Sequence, residues 1–440
     1  MKKFVIRSAR KSAHISSKVL RKGLRLTNKV EDKAARILNG TDYSVRAEDT
    51  MPLEKIYYNS LPYITPVNPS LPAISSKPSV VLFLPTLDGK SFYGGTATAL
   101  VVAGRLAQLK NRQLRIVQTL KTGKASKLTD FFKSEGLTIT EEDISVISVA
   151  DRAYNVYGYV SMHPEDIFIA SAWWDAHLIN QLPLKQKFIY LIQDFEPIFY
   201  NNSDLYVYAE ETYKQSSFIP LCNTKLMYDF MKDRGYDAFK GSTAHWFEPA
   251  VSRAKSGLVH KKKPTEKKKL FLYGRPDVHR NLFFTALTSI DFAFKAGFLD
   301  VSEWEVFMAG QDKIPDIKLT SGVKITNLGK MSMEKYIEFS KSIDLAVSLM
   351  MAPHPNYPTL EFASIGTSVV TTKYGNKQDL KKYSKNIVTS DIGVESIAGA
   401  IKNAASLTYK QRLENVETDS INESWKTALD DTLKEVLKKI

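Results

Sequence analysis

The chain has 440 residues, of which 43% are apolar, and carries 61 Lys and Arg against 47 Asp and Glu. That length exceeds one ordinary core and predicts two domains of roughly 150–200 residues, while the apolar content excludes a disordered chain. The formal net charge of +14 points to polyanionic partners: nucleic acid, anionic lipid or phosphate-bearing substrates. A single cysteine, Cys222, excludes an internal disulfide framework and reads as a plain buried residue in a reducing compartment.

Residues 1–40 open the chain as a basic segment. Lys2, Lys3, Arg7, Arg10, Lys11, Lys18, Arg21, Lys22, Arg25 and Lys29 alternate with Ile15, Val19, Leu20, Leu24, Val30 and Ile37 at roughly helical intervals. The pattern suits an amphipathic helix on an anionic membrane surface. A solvated tail is the competing reading, and a nucleic-acid arm lacks any binding signature. The segment has no continuous apolar run of a secretory signal, and no stretch reaches the ~20 apolar residues of a membrane span. A cytoplasmic protein, peripheral on the inner face of the plasma membrane, is expected. Residues 41–78 hold Pro52, Pro62, Pro66, Pro69, Pro72 and Pro78, an extended wrap or linker.

At Val80 the texture changes. Val80–Leu84 is a short apolar run of the kind buried in parallel sheets, and Gly95–Leu109 has helical spacing. Leu114–Val117, Ile144–Val149, Asp166–Ala170 and Phe188–Ile192 repeat the strand theme with helical stretches between them. The hydrophilic run Lys261–Lys269 reads as a surface loop near the start of a second domain. The alternation then restarts: strands at Leu270–Tyr273, Trp304–Ala309, Lys324-Ile325, Leu345–Leu349 and Val369–Thr371, and helices from Asn281, Ser332 and Thr359. Glu423–Lys439 reads as a helix with Trp425, Leu429, Leu433 and Val436 on one face. The expected fold is α/β: two Rossmann-like, doubly wound domains facing a cleft, over residues 41–250 and 251–415, with a C-terminal helix in 416–440. Ligands of such sheets bind beyond the carboxyl ends of the strands.

Three loops of that kind carry candidate chemistry. Asp88–Thr96 follows a strand and opens a helix, and Gly95 there lets a ligand approach the backbone. The run matches neither a dinucleotide fingerprint nor a P-loop, and a plain tight turn is an equal reading. Tyr273–Asn281 carries Arg275 and Arg280, planar permanent cations suited to a diphosphate; His279 reads as a loop histidine. In His354–Gly366 a proline-rich loop feeds a helix start, whose free amides can hold phosphate oxygens around Thr359 and Leu360. Glu361, one turn in, can accept hydrogen bonds from sugar hydroxyls. Asp194-Phe195-Glu196 follows an apolar strand; Asp194 can bind an acceptor hydroxyl, a structural loop role competes, and a metal role lacks a suitable ligand set. Trp173-Trp174 reads as core packing ahead of a sugar platform.

The run Pro353-His354-Pro355-Asn356-Tyr357-Pro358-Thr359-Leu360-Glu361 resembles the donor segment of glycosyltransferase family 4, and more specifically of WsaF-type rhamnosyltransferases. Tyr273-Gly274-Arg275-Pro276 with Arg280-Asn281, Tyr190–Pro197 and Leu328-Gly329-Lys330-Met331-Ser332 are similar to the same group, so the resemblance covers most of residues 80–400. Glu361 matches the second glutamate of the E-x7-E pattern, whereas the first would fall at Pro353. The resemblance implies a retaining GT-B enzyme that moves a deoxysugar, L-rhamnose from dTDP-L-rhamnose, onto a growing bacterial surface glycan that is lipid-linked. It places the nucleotide against the C-terminal domain, with Lys330 and Met331 framing the base and His354 substituting for the missing glutamate. The donor site so read comprises Gly95, Arg275, Arg280, Lys330, Met331, His354, Tyr357, Thr359, Leu360 and Glu361, with Asp194, Arg280 and Glu361 at the chemistry. No metal, no other cofactor and no nucleic acid are expected. The rival readings are a transferase of another nucleotide sugar and a non-catalytic glycan-binding protein of the same fold.

Overall fold

The computed structural model describes residues 63–70, 77–87, 92, 94–124, 126–152, 159–251, 257–263, 265–312 and 314–440. The basic segment 1–40, most of the proline-rich stretch and Asp88–Ser91 of the first loop lie outside the described residues.

Apolar runs bounded by turns become strands, and runs with helical spacing become the helices that cover them. The first domain holds β1 (Asn68–Ser70), β2 (Ser79–Leu84), β3 (Gln113–Gln118), β4 (Ile144–Ser148), β5 (Tyr159–Ser161), β6 (Ile167–Ala170), β7 (Phe188–Ile192), β8 (Phe218–Asn223) and β9 (His245–Phe247). Its helices are α1 (Gly94–Lys110), α2 (Leu128–Ser134), α3 (Trp173–Asn180), α4 (Asp204–Tyr213) and α5 (Lys225–Asp233). The second domain holds β10 (Lys268–Tyr273), β11 (Trp304–Ala309), β12 (Ile317–Lys318), β13 (Lys324–Asn327), β14 (Leu345–Val347), β15 (Ser368–Thr372) and β16 (Ile387–Ser390). With them run α6 (Phe283–Lys295), α7 (Met333–Ser340), α8 (Tyr357–Ser364), α9 (Val394–Ala405), α10 (Tyr409–Glu417) and α11 (Trp425–Leu437).

Each domain is built on a seven-stranded sheet, ordered β4-β3-β2-β6-β7-β8-β9 and β12-β13-β11-β10-β14-β15-β16. Every pairing in them is parallel except β12 with β13 at one edge. Parallel sheets are covered on both faces, and all six residues of β2 are accordingly buried. Separate apolar clusters fill the two faces of each sheet. In both domains the strand order reverses beside the first long strand, between β2 and β6 and between β10 and β14. These are the switch points where connecting loops diverge and leave a crevice.

Three details differ from the sequence reading. Lys268 and Lys269 belong to β10 rather than to the preceding loop. Their stems run along apolar surface, with the ammonium of Lys268 5.5 Å from the Trp304 ring and that of Lys269 5.6 Å from Phe307. The helix expected from Thr359 starts at Tyr357, because Asn356 supplies the left-handed turn (φ 77°) and Pro358 suits the first helical turn. The helix expected from Asn281 starts at Phe283, after a short 3-10 turn at His279–Asn281 and Leu282 at φ 50°. Strands β1, β5, β8, β9, β12 and β16 lie outside the expected alternation.

The last helix returns to the first domain. Leu429, Leu433 and Val436 of α11 enter the cluster that contains Val80, Leu82 and Leu84 of β2, and Arg105 of α1 grips Asp430 with two bonds of 2.6 and 2.7 Å. The chain therefore crosses between domains twice. The crossings are tied together: Ala250 bridges Asn422, Val251 N donates to Asn422 O at 2.8 Å, and Asn422 Nδ2 donates to Glu248 O at 3.0 Å.

Candidate functional site

The loops after β10 and β14 leave the second sheet at its switch point and are fastened to each other. Asn281 Nδ2 donates to Leu349 O at 3.1 Å, and Met351 N donates to Arg280 O at 2.8 Å. Arg280 is thereby fixed beside the segment that runs into α8. Its guanidinium reaches into the first domain, 4.2 Å over the Phe199 ring, with Nε 3.1 Å from Asp194 Oδ2. That nitrogen has no hydrogen bond along its N–H direction, so the contact is an ion pair rather than a directed bond. Asp194 is 6% exposed, and its Oδ1 accepts from Phe195 N at 2.9 Å. Burial pushes the Asp194 carboxyl up, and Arg280 opposes the shift.

A second cation completes this charge cluster, and it was not found from sequence. Lys377 is fully buried, and its Nζ donates to Met350 O at 2.8 Å and to His354 O at 3.3 Å. Burial lowers its ammonium to about 7, with Asp194 opposing. Its only local signal is the turn Tyr374-Gly375-Asn376, which says nothing of where the next side chain points. His354 is 4% exposed; its Nδ1 accepts from Asn356 N at 2.9 Å. Burial first, then Lys377 and Arg280, lower its pKa to about 3. The ring is neutral with its proton on Nε2, and that buried nitrogen has no partner among the described residues.

Tyr357, at the first position of α8, joins the domains. Its hydroxyl lies 2.5 Å from Thr98 Oγ1 of α1 and accepts from Asn223 Nδ2, at the end of β8, at 2.8 Å. Thr98 and Asn223 were not singled out by the sequence reading; each is read as an interior residue until the opposite domain is in view. One turn on, Glu361 Oε2 accepts from Tyr336 Oη at 3.0 Å, and burial raises its carboxyl. Glu361 lines an interdomain cavity of about 130 Å³ with Thr98, Phe92, Phe131, Tyr336 and Trp425. Sites for small ligands run to roughly 300–1,000 Å³, so this space is smaller than a whole small-ligand site.

The α8 amides only partly fit their expected role. Leu360 N already donates to Asn356 O at 3.3 Å, which removes it as a free phosphate donor. Pro358 has no N–H, so the first turn offers the amides of Tyr357 and Thr359; the Thr359 side chain is buried.

Arg275 does not join Arg280 on one partner. It is exposed, and Nη1 lies 3.4 Å from Tyr273 Oη, on the rim formed by the ends of β10, β11 and β13. There Gly274, Gly310 and Gly329 stack backbone on backbone: Gly310 N donates to Gly329 O at 3.1 Å, and a Cβ on Gly310 would stand 2.6 Å from Gly274 O. Gly310 also holds φ 133°, so a side chain is excluded twice over. Lys330 is exposed beside this stack, its N–H bonded to Asp312 Oδ1 at 2.5 Å, and Met331 follows it, half-buried. Gly95 faces the same cleft from the first domain, where its carbonyl accepts from Gln193 Nε2 at 2.9 Å.

The remaining sequence candidates have structural partners. Glu196 Oε2 accepts from Trp173 N at 2.5 Å and Tyr190 Oη at 3.0 Å, and burial raises its carboxyl to about 8. Trp173 is buried in the core, with Nε1 donating to Tyr200 Oη at 3.0 Å. Cys222 is buried. Among the described residues no three of His, Cys, Asp and Glu gather into a group able to hold a metal ion.

Comparison with known proteins agrees with this geometry. Models of the WsaF N-terminal domain and the WsaF C-terminal domain match residues 79–225 and 268–402. An O-antigen biosynthesis protein RfbC of Myxococcus xanthus is 27% identical over 277 residues, 62% of this chain but only 21% of that protein. Sucrose-phosphate synthase of Thermosynechococcus elongatus superposes with TM-score 0.54 at 12% identity, over 82% of this chain and 98% of that one. Anabaena HepE in complex with UDP does so with TM-score 0.54 at 11% identity, over 82% and 100%. S. aureus TarM, solved with fondaparinux, alpha-GlcNAc-glycerol and UDP, gives TM-score 0.54 at 9% identity, over 82% and 99%. With both domain models matched in order and the two switch-point crevices facing each other, the chain belongs to the WsaF family and has the GT-B glycosyltransferase fold.

Proposed function

We propose that the protein is a glycosyltransferase of surface-polysaccharide assembly, transferring a sugar from a nucleotide donor to a glycan hydroxyl. The observation that carries the reading is the pairing of switch points. Arg280, His354 and the start of α8 meet at the crevice of the second domain and face Asp194 at the crevice of the first. The UDP in the HepE and TarM structures and the name of the Myxococcus relative lend it support. The donor is dTDP-L-rhamnose and the acceptor is lipid-linked. Arg280, the Tyr357 and Thr359 amides and the Nε2–H of His354 stabilise charge on the departing diphosphate, the role a divalent metal fills elsewhere. Arg275 and Lys330 stand on the rim where the nucleoside enters, and Glu361 accepts a hydroxyl of the nucleotide sugar.

The reaction retains configuration by a front-face route. The bond from the anomeric carbon to the diphosphate oxygen breaks, the acceptor oxygen bonds to the same carbon on the same face, and the acceptor proton passes to the departing phosphate oxygen.

Incubation with a panel of nucleotide sugars, reading nucleotide release and transfer to a lipid-linked acceptor, tests the proposal. Turnover of dTDP-L-rhamnose undiminished by saturating EDTA is expected. Transfer from another donor alone replaces the sugar assignment. Abolition by chelation with rescue by manganese overturns the metal-independent mechanism, and binding of glycan without turnover of any donor overturns the enzyme.

A further inference from the structure

The charge cluster between the domains is unbalanced in a way that points to an exchange. Arg280 is held 3.1 Å from Asp194, which is 6% exposed, and the enclosed Lys377 stands behind them with its Nζ on the Met350 and His354 carbonyls. Beside them the buried Nε2–H of His354 has no acceptor. Asp194 comes from the loop after β7 of the opposite domain, while Arg280, Lys377 and His354 all belong to the domain that carries α8. Its Arg280 contact is an ion pair without a directed hydrogen bond. An anion richer in oxygen and charge can engage the Arg280 guanidinium and the His354 Nε2–H together, whereas the Asp194 carboxylate meets only the first.

We propose that Asp194 is the resident anion of a diphosphate site: it neutralises Arg280 in the empty cleft, and an incoming diphosphate displaces it. The exchange rests on the donor reading only for the identity of the diphosphate. Two anions cannot share Arg280 at close range, because each raises the cost of ionising the other. Arrival of the diphosphate therefore turns Asp194 away from Arg280 and leaves its carboxylate to accept a hydrogen bond from the acceptor hydroxyl. Donor binding and preparation of the acceptor side become one event, and an acceptor finds no competent Asp194 before the donor is in place.

The sign of one measurement tests this. A residue that contributes to donor binding weakens it when neutralised, whereas a resident competitor strengthens it. Asp194→Asn keeps an oxygen for the Phe195 N–H, so the loop after β7 keeps its local bond. Calorimetric titration of the full-length wild type and Asp194→Asn with dTDP, and separately with inorganic pyrophosphate, is the experiment. A competitor that occupies the site nine-tenths of the time lowers apparent affinity about tenfold. Asp194→Asn should therefore bind both ligands about tenfold more tightly, while its transfer rate falls. Adding Arg280→Gln should abolish the gain. Should Asp194→Asn not fold cooperatively, Asp194→Ser makes the same comparison.

Unchanged or weaker binding of both ligands in the variant overturns the exchange, as does absence of binding in both proteins. If neither protein binds dTDP but pyrophosphate still binds more tightly to the variant, the exchange stands and the dTDP-sugar reading falls.

Discussion

Glu361 shows what a single residue can and cannot be read to do. A glutamate one turn into a helix is ordinarily a partner of the helix dipole. Here its Oε2 takes the Tyr336 hydroxyl and the rest of the carboxylate faces the interdomain cavity, while burial raises its pKa. Glu361→Gln keeps the shape and an oxygen for Tyr336, so the melting temperature should hold. Donor affinity should fall about tenfold to a hundredfold, the ~1.5–3 kcal/mol of a hydrogen bond to a charged group. In the wild type, donor affinity should also weaken as pH falls through the raised pKa, and the variant should lack that limb. A variant with intact kinetics and a lowered melting temperature would mark Glu361 as structural.

At this scale Arg280, His354 and Glu361 were legible, since each stands in a loop or helix start that a strand feeds directly. Lys377, Thr98 and Asn223 were not. Their roles depend on what the other domain, or a loop more than twenty residues away, brings opposite them. The pairing of Asp194 with Arg280 was hidden for the same reason: each was a candidate, but nothing local says that they are partners.

At the scale of elements, the strands and helices flanking the switch points follow from apolar runs and their spacing, because parallel strands covered on both faces have little choice of residue. β9 was missed because His245-Trp246-Phe247 is three residues long and only Phe247 is buried, and the starts of α6 and α8 were displaced by left-handed residues that no composition rule marks. The loop after β7 makes a prediction of its own. Glu196 holds the start of α3 and Tyr190 of β7 with a carboxyl whose folded pKa is about 8, against 4.5 for the free group. The folded state thus binds a proton that the unfolded state has lost. The associated stability is fully present below pH 4.5 and is lost as pH rises through 8. Lys377 runs the opposite way, gaining from deprotonation above about 7. Glu196→Gln mimics the protonated group, so thermal melts from pH 5 to 9 should show a smaller alkaline decline than the wild type. Parallel declines in the two proteins would place Glu196 outside the titration.

For the whole molecule the +14 charge is the property with the widest reach, and the N-terminal segment concentrates it. Among the described residues no helix is long and apolar enough to cross a membrane. Each basic residue near an anionic surface contributes about 1 kcal/mol at most, less as salt screens it, and apolar residues at helical spacing add insertion. Deleting residues 1–38 should therefore abolish sedimentation with anionic vesicles and leave dTDP binding unchanged, and raising salt should release the intact protein only in part. Equal vesicle binding by the truncated protein would move the anchor elsewhere.

The doubled crossing between the domains has a mechanical consequence. Two covalent strands knotted to each other at Ala250 and Asn422 behave as a hinge pin. Two crossings tied at one place favour a swing about that tie, like a door in its frame, over the slide or free swivel that one tether would allow. The contacts across the gap act as latches on that one motion. Arg280 against Asp194, Tyr357 between Thr98 and Asn223, and Asn376 against the Leu226 carbonyl all span the gap that such a swing would open. A swing about that one tie would bring all the latch residues back into register together, without each having to search for its partner.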